Sequence, residues 1–212
     1  MTRMTFNRAR SMAVIGALIA STTLTGCAAL LVGSAVVGGS LMATDRRTSG
    51  AQIEDQSIEF KSSTRVRDVL GDRGHVNVTS YNRLVLLSGE VPTEADKAAI
   101  EQSVSKVDGV RTTVNELAVM TASSLSNRSN DALVTSKVKA TLVDAGDISA
   151  NAFKVVTERG TVFLMGRVTE REAERASDLT RSISGVQKVV RVLEVITDDE
   201  LAQIAPNSAP KK

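Results

Sequence analysis

Residues 161–176, TVFLMGRVTEREAERA, join two kinds of secondary structure at a single glycine. The apolar run before Gly166 is typical of a strand that is covered on both faces. After it, Thr169 and Glu172 have the S/T-x-x-E spacing of a helix capping box. Residues 84–99, LVLLSGEVPTEADKAA, repeat this unit, with Gly89 at the position of Gly166. The chain therefore builds the same strand–glycine–helix unit twice.

The repeat extends well beyond the quoted stretch. Residues 76–91 match residues 153–168 at a constant offset of 77, and residues 93–119 match residues 169–195 at an offset of 76. The one-residue difference is Pro92, in a turn, where chains tolerate insertions. Two copies are too few for a solenoid, so the sequence predicts two small domains in tandem.

Each copy has the hydrophobic pattern helix, strand, strand, helix, strand. The predicted elements are 54–70, 76–80, 84–88, a helix capped by Thr93, and 110–119 in the first copy, and 131–144, 153–157, 161–165, 170–183 and 186–196 in the second. Four glycines are predicted to be structural: Gly89 and Gly166 at a strand-to-helix turn, Gly109 where the second helix stops, and its match Gly185. The predicted fold class is α+β, with two tandem αββαβ domains that each pack two helices on a three-stranded mixed sheet.

The N-terminus has the three regions of a secretory signal: basic residues, an apolar run at 12–20 and small polar residues at 21–25. It ends in Leu24-Thr25-Gly26-Cys27, which resembles the lipobox of bacterial lipoproteins. The resemblance implies that residues 1–26 are removed and that Cys27 carries the lipid. Ala28 stands where an inner-membrane retention signal has Asp, which implies an outer-membrane anchor with the domains in the periplasm. The alternative is a spare cysteine in a transmembrane helix.

Removing the signal changes the charge balance. The full chain has 26 basic and 24 acidic residues, and residues 1–26 contain three of the basic ones and no acid, so the mature chain balances at −1. The basic character of the precursor is therefore no argument for nucleic acid as a partner. Because Cys27 is the only cysteine, no intrachain disulfide is expected.

Residues 28–43 stay apolar after the predicted cleavage point. They number 16, fewer than the roughly 20 that a membrane span needs, and three glycines weaken any helix there. We therefore expect a tether rather than a transmembrane helix. The predicted order is a signal at 1–26, the lipidated cysteine and a flexible tether at 27–51, a first domain at 52–120, a linker at 121–130, a second domain at 131–197 and a disordered tail at 198–212.

The residues around the repeated glycines carry a family resemblance. Leu84-Val-Leu-Leu-Ser-Gly89-Glu-Val91 and Val162-Phe-Leu-Met-Gly166-Arg-Val168, each followed by a capped helix and a later Gly-Val pair, resemble BON domains. With the lipobox, they are similar to the dual BON-domain lipoproteins of the outer membrane. The resemblance covers essentially the whole mature chain. It implies a protein that binds anionic phospholipid and maintains envelope integrity, with a link to cell division.

The candidate catalytic side chains favour a binding protein over an enzyme. His75 is the only histidine, and a metal site usually needs three or four ligands, so His75 is a poor candidate for one. Lipidation of Cys27, the only cysteine, would leave no thiol nucleophile. An acidic cluster with interleaved arginines is interpreted as a solvent-exposed, ion-paired helix face. Its residues are Glu170, Arg171, Glu172, Glu174 and Arg175. We predict no catalytic residue, no metal site and no cofactor.

One outward helix face is the candidate lipid-binding surface. Val134, Val138 and Leu142 define the core side of the helix at 131–144 at about 100° per residue, and Leu133 falls on the other side. An apolar residue between lysines suits an anionic membrane, and the BON resemblance implies lipid contact at this helix; the alternative is an ordinary exposed leucine that packs on the linker. The predicted lipid-binding residues are Leu133, Ser136, Lys137, Lys139 and Ala140, and the predicted ligands are phosphatidylglycerol and cardiolipin.

Three functions compete on the sequence alone. The resemblance favours lipid binding. An adaptor for outer-membrane assembly proteins would use the same domains without touching lipid, and a chaperone-like role in periplasmic stress is the third possibility. The lipobox argues against the third as the main role, because soluble stress relatives lack it.

Overall fold

The computed structural model describes residues 45–204, and every element below lies in that range. In chain order the elements are α1 (Ser49–Leu70), β1 (His75–Tyr81), β2 (Leu84–Val91), α2 (Glu94–Val104), β3 (Thr112–Val119), α3 (Leu125–Ala145), a 3₁₀ turn (Ala150–Ala152), β4 (Phe153–Glu158), β5 (Thr161–Val168), α4 (Glu170–Arg181), β6 (Lys188–Val195) and α5 (Asp198–Ile204). The order αββαβ occurs twice, and α5 follows the second copy.

Both copies form a three-stranded mixed sheet with the same topology. β2 lies in the middle, antiparallel to β1 and parallel to β3, and β5 has the same place between β4 and β6. Each antiparallel pair is joined by a two-residue turn, Asn82-Arg83 or Arg159-Gly160, and all four residues have positive φ, as type I′ hairpin turns require. The predicted α+β fold with two tandem αββαβ domains is confirmed.

The helices of each copy pack on one face of its sheet and form two separate hydrophobic cores. In the first domain, α1 and α2 cover the face of the sheet that carries Val85 and Leu87. In the second domain, α3 and α4 cover the face that carries Val162 and Leu164. All four side chains are fully buried. The sequence repeat is therefore a repeat of core positions.

The opposite faces of the two sheets pack against each other. Leu86 of β2 meets Phe163 and Met165 of β5 in a third buried cluster, which Tyr81 and Val192 complete. The two domains thus form four layers, in the order helices, sheet, sheet, helices. Because both faces are covered, β2 and β5 are apolar at successive positions rather than at alternate ones.

Polar contacts at the rim of this sandwich also join the domains. The Lys154 ammonium on β4 lies 2.6 Å from the Glu59 carboxylate on α1. The side-chain amide of Asn82 donates to Glu194 of β6 at 2.7 Å. These bonds complement the apolar cluster, because a polar contact needs a fixed geometry and so restricts how the two sheets can slide.

Three predicted segment boundaries are wrong by a few residues, because helices extend into the predicted tether, linker and tail. Helix α1 begins at Ser49 behind the N-cap Thr48, so residues 49–51 are helical and not tether. Helix α3 begins at Leu125 behind Ser124, so most of the Ser/Asn-rich stretch predicted as linker is helical as well. In both places the cap hydroxyl accepts a backbone N–H of the first turn, and this bond with tertiary packing outweighs weak helix propensity. Helix α5 likewise occupies the start of the predicted tail.

The structural glycines act differently from the prediction. Strands β2 and β5 run on to Val91 and Val168, so Gly89 and Gly166 lie inside strands and not at a strand-to-helix turn. A Cβ at Gly89 would overlap the carbonyl oxygen of His75, and one at Gly166 would overlap that of Ala152. Gly89 also has a φ of 114°. Close approach of the preceding segment therefore explains both glycines.

The second pair of glycines does not end the helices either. Helices α2 and α4 end at Val104 and Arg181, several residues before Gly109 and Gly185. A Cβ at Gly185 would lie 2.7 Å from a methyl group of Val134, and one at Gly109 would lie 3.2 Å from Ile58. These glycines let the loop pass close to the first helix of each domain.

Candidate membrane-binding face

Helix α3 presents the candidate site, and its inner side fixes its orientation. Ser124 caps its first turn, and Gly146 follows it in the left-handed conformation. Val134, Val138 and Leu142 recur at i, i+4 and i+8 and are buried against the sheet of the second domain. The residues on the opposite side of α3 are therefore held outward by the packing of the whole helix.

The outward side of α3 is an uncharged stripe along its full length. Leu125, Leu133 and Val143 are 78%, 61% and 65% exposed. Small residues fill the positions between them on the same side, at 129, 132, 136 and 140, and all four are exposed. From residue 125 to residue 143 the stripe spans about 27 Å at 1.5 Å per residue. We call these seven positions the α3 stripe.

The two serines of the α3 stripe are less polar than their chemistry suggests. The Ser129 hydroxyl donates to the carbonyl of Leu125 at 2.9 Å, and the Ser136 hydroxyl donates to the carbonyl of Ala132 at 2.9 Å. A hydroxyl that bonds the carbonyl four residues earlier has already used its donor within the helix. The stripe can therefore leave water at a lower cost than two free hydroxyls would impose.

Lys137 and Lys139 flank the α3 stripe on its two sides, and both are exposed. Within residues 45–204 neither ammonium group makes an ion pair. Lys137 and Leu133 also line a shallow cleft of about 500 Å³ between α3, the Arg159-Gly160 turn and the loop at Gly185. An apolar strip between two unpaired cations suits an anionic, partly apolar surface.

The structure places all five predicted lipid-binding residues on one exposed side of one helix. Leu133, Ser136 and Ala140 belong to the α3 stripe, and the two lysines border it. The sequence reasoning missed Leu125, because the helix was predicted to begin at 131. It also did not single out Val143, although the predicted helix contained that residue. Val143 lies in line with Ser136 at a spacing of 7 residues within the predicted helix, and an earlier helix start would have brought Leu125 into the same line at a spacing of 11 residues.

The acidic cluster on α4 is solvent-exposed as predicted except at Glu172, but its ion pairs do not run along the helix as the sequence suggested. Glu172 is buried, and its carboxylate accepts hydrogen bonds from both terminal nitrogens of Arg46, each at 2.7 Å. Arg175 pairs with Asp147 at 2.9 Å, and Glu170 pairs with Arg191 on β6 at 3.1 Å. The partners come from other elements because the helix packs into the domain edge, which spacing along one helix does not reveal.

The other catalytic candidates stay apart. His75 begins β1, and its ring lies 3.5 Å from the Asn77 amide. Burial and the nearby charge of Arg128 lower the pKa of His75. No three His, Cys, Asp or Glu side chains among residues 45–204 lie close enough together to hold a metal ion. Cys27, the predicted lipidation site, lies outside the described residues.

Each domain has a buried aspartate that binds the turn of its hairpin, and the sequence reasoning missed both. Asp131 of α3 accepts the backbone N–H groups of Arg159 and Gly160, in the turn between β4 and β5. Asp55 of α1 accepts those of Asn82 and Arg83 in the matching turn. The two acids are 76 residues apart, one fewer than the offset of 77 in the strands that follow, so the repeat reaches the first helix only with a further one-residue gap. An alignment that allowed this gap would have matched Asp55 with Asp131.

No helix in the described part of the chain is long and apolar enough to span a bilayer.

Comparison with known proteins agrees with this architecture. A model of the BON domain matches residues 57–121 and 130–197. The outer membrane lipoprotein DolP of Haemophilus influenzae is 37% identical over 195 residues, which cover 91% of this chain and 100% of that protein. The 21 kDa hemolysin of Actinobacillus pleuropneumoniae is 29% identical over 72% of this chain and 79% of its own length. The osmotically-inducible protein Y of Escherichia coli is 25% identical over 76% of this chain and 90% of its own.

The two matched domains coincide with the two αββαβ copies, and the similarity to an outer membrane lipoprotein extends over that protein's whole length. The chain therefore belongs to the BON-domain family, as a dual-domain envelope lipoprotein.

Proposed function

We propose that the protein binds anionic phospholipid through the α3 stripe, with phosphatidylglycerol and cardiolipin as the preferred lipids. The observation that carries this proposal is the combination of three large exposed apolar side chains with two flanking lysines on one helix. An amphipathic helix of this kind lies in the plane of the interface with its apolar side at the acyl boundary. The protein acts as a binding protein, not as an enzyme.

The expected energies are modest and additive along the helix. A lysine near an anionic surface contributes about 1 kcal/mol, so Lys137 and Lys139 together contribute about 2 kcal/mol. Leu133 adds the burial of an aliphatic side chain, up to about 1.5–3 kcal/mol if it leaves water completely. Such binding is weak for an isolated domain, but a lipid anchor at Cys27 would keep α3 near the membrane at a high effective concentration.

Vesicle co-sedimentation of a fragment with residues 45–212 tests the proposal, because this fragment carries both domains and lacks Cys27. Leu133→Glu is expected to abolish binding to phosphatidylglycerol vesicles, since a carboxylate at the interface opposes both the apolar and the charge contribution. Leu133→Trp is expected to strengthen binding, because indole rings favour the membrane interface. Replacing both lysines by Gln should weaken binding about 30-fold, and raised salt should weaken the parent.

Phe60→Glu is the matched control, because Phe60 is 76% exposed on α1, in the helix layer of the other domain. It should leave vesicle binding unchanged. If Phe60→Glu abolishes binding while Leu133→Glu does not, the membrane face lies on the first domain. Equal binding by the parent and both Leu133 variants would disprove the assignment of the α3 stripe.

We further propose that lipidated Cys27 anchors the protein in the outer membrane with its domains in the periplasm, and that the protein maintains envelope integrity, including at the division site. The similarity to an outer membrane lipoprotein supports the first part. A deletion strain should become sensitive to detergents and large antibiotics. Complementation by the parent gene but not by Leu133→Glu would connect that phenotype to the α3 stripe.

An adaptor role for outer-membrane assembly proteins is the second candidate, and one observation favours it. Ile53 and Phe60 lie seven residues apart on α1 and are 64% and 76% exposed. Residues at this spacing share a helix face. Crosslinking in cells that loses a protein partner in Phe60→Glu but not in Leu133→Glu would support an adaptor surface on α1 that is separate from the lipid-binding one.

A further inference from the structure

The first described residues, Asp45–Arg47, contact both domains before α1 begins. The Arg46 side chain is 3% exposed and extends to the second domain. Its two terminal nitrogens donate to the two carboxylate oxygens of Glu172 at 2.7 Å, and one also donates to the carbonyl of Arg167 at 2.9 Å. Arg46 therefore binds Glu172 at the start of α4 through two hydrogen bonds in two-pronged geometry, the strongest form of such a pair, and binds the end of β5 through a third.

The next residue binds the first domain instead. Arg47 donates to Asp55 of α1 at 2.7 Å, and its guanidinium carbon lies 4.2 Å from the centre of the Tyr81 ring. Asp45 accepts two bonds from the Arg47 side chain and so holds that guanidinium in place. Two consecutive residues thus bind opposite domains, and the Tyr81 that Arg47 covers belongs to the apolar cluster between the sheets.

The acceptors of these bonds also maintain each domain. Glu172 accepts the backbone N–H of Thr169 in the capping box of α4. Asp55 accepts the hairpin N–H groups of Asn82 and Arg83. Both carboxylates are buried, and a buried carboxylate that loses its cation becomes an uncompensated charge. Withdrawal of Asp45–Arg47 would therefore disturb both domains at their shared boundary.

We propose that Asp45–Arg47 is a latch that holds the two domains in the closed sandwich, so that withdrawing it lets the sheets separate and exposes their apolar faces. The latch joins directly to the segment that leads back to Cys27, 18 residues earlier in the sequence. A pull on, or a cut in, that segment would act first on Arg46 and Arg47. The state of the N-terminal segment would in this way control whether the two inner sheet faces stay together.

Tyr81 provides the readout, because it is the only tyrosine and the chain has no tryptophan. Burial, with the charge of Asp45, raises the pKa of Tyr81 to about 12 from an ordinary 10.0. In the full mature chain in detergent micelles, we would measure tyrosinate absorbance against pH and quenching of Tyr81 fluorescence by acrylamide. Far-UV circular dichroism would report whether both domains remain folded.

Arg46→Met should make Tyr81 accessible to acrylamide and move its pKa from about 12 towards 10.0. Arg46→Met also leaves the buried Glu172 carboxylate without a cation, so loss of the contact between the domains must be distinguished from the cost of that unpaired charge. The double variant Arg46→Met/Glu172→Gln removes the charge as well, and it should give the same Tyr81 result with full secondary structure. Arg181→Met is the matched control, since Arg181 makes an exposed pair with Asp178 at 2.6 Å. It should leave Tyr81 as in the parent.

Two results would overturn the latch. Tyr81 in the folded double variant could remain as protected as in the parent, which would mean that the sheets stay together without Arg46. Alternatively, both Arg46 variants could lose their far-UV signal, which would make the residue part of the fold itself, because a latch must open without unfolding the domains that it joins.

Discussion

Asp131→Ala is expected to lower the free energy of unfolding by about 2–4 kcal/mol, although Asp131 contributes nothing to the apolar core. Its carboxylate lies 2.8 Å from the backbone nitrogen of Arg159 and 2.9 Å from that of Gly160. Alanine would leave both N–H groups of the hairpin turn without an acceptor. A buried donor left unsatisfied costs about 1–3 kcal/mol, and the Arg159 amide is only partly buried, so the lower part of the doubled range applies.

Thermal and urea unfolding followed by circular dichroism would measure this change. For a protein of this size 2–4 kcal/mol corresponds to a fall in Tm of about 5–15 °C. Asp131→Asn keeps one acceptor oxygen and should fall between the parent and the alanine variant. Asp144→Ala is the control, because Asp144 is exposed on the same helix and makes no ion pair inside the described range. If Asp131→Ala has the same Tm and urea midpoint as Asp144→Ala, water hydrogen-bonds the N–H groups of the turn and the reasoning is wrong.

Three further predictions concern the buried glycines, the buried Glu172 carboxylate and the predicted lipidation site. Gly89→Ala and Gly166→Ala should each cost about 1–3 kcal/mol, more at Gly89 because of its φ of 114°, whereas Gly50→Ala in α1 should be neutral or stabilising by denaturant titration. Burial raises the pKa of Glu172, but hydrogen bonds from Arg46 and a backbone N–H lower it by more, to below the ordinary 4.5. The ionised carboxylate therefore stabilises the folded protein above pH 4.5, and this stabilisation is lost as the pH falls through the pKa of the folded state. Glu172→Gln should accordingly flatten the acid side of a plot of unfolding free energy against pH. Cys27→Ala should leave the precursor uncleaved and unlipidated in fractionation and mass analysis, and an unmodified, soluble parent protein would contradict the lipoprotein assignment.

The fold was predictable because the apolar residues that repeat between the two copies are also the residues that define the helical and strand periods. These positions form the cores of the two domains. The continuous apolar runs in β2 and β5 correctly indicated strands covered on both faces. The sequence did not reveal that the second cover is the other domain, because Leu86 and Phe163 look the same whether they face a helix or another sheet. Contacts between distant segments leave no local pattern.

The candidate site was predictable in part for a related reason. Three core residues on α3 fixed the helical phase, and that phase was enough to place Leu133 outward. The length of the α3 stripe was missed because the Ser and Asn content of residues 121–130 suggested a linker, and the cap at Ser124 was not recognised. Arg46 and Glu172 are 126 positions apart, so no spacing argument could have paired them.

The covered sheet faces have a consequence for how strong the contact between the domains needs to be. Only five residues, 120–124, separate β3 from α3, and so short a connection gives each domain an effective concentration of its neighbour in the millimolar range or above. The cluster around Leu86 and Phe163 therefore needs a lower affinity to stay closed than it would need between two separate chains. Duplication within one polypeptide therefore makes a weak interface sufficient, and it leaves that interface weak enough to open. Two BON domains mixed as separate chains should not reassemble into this sandwich.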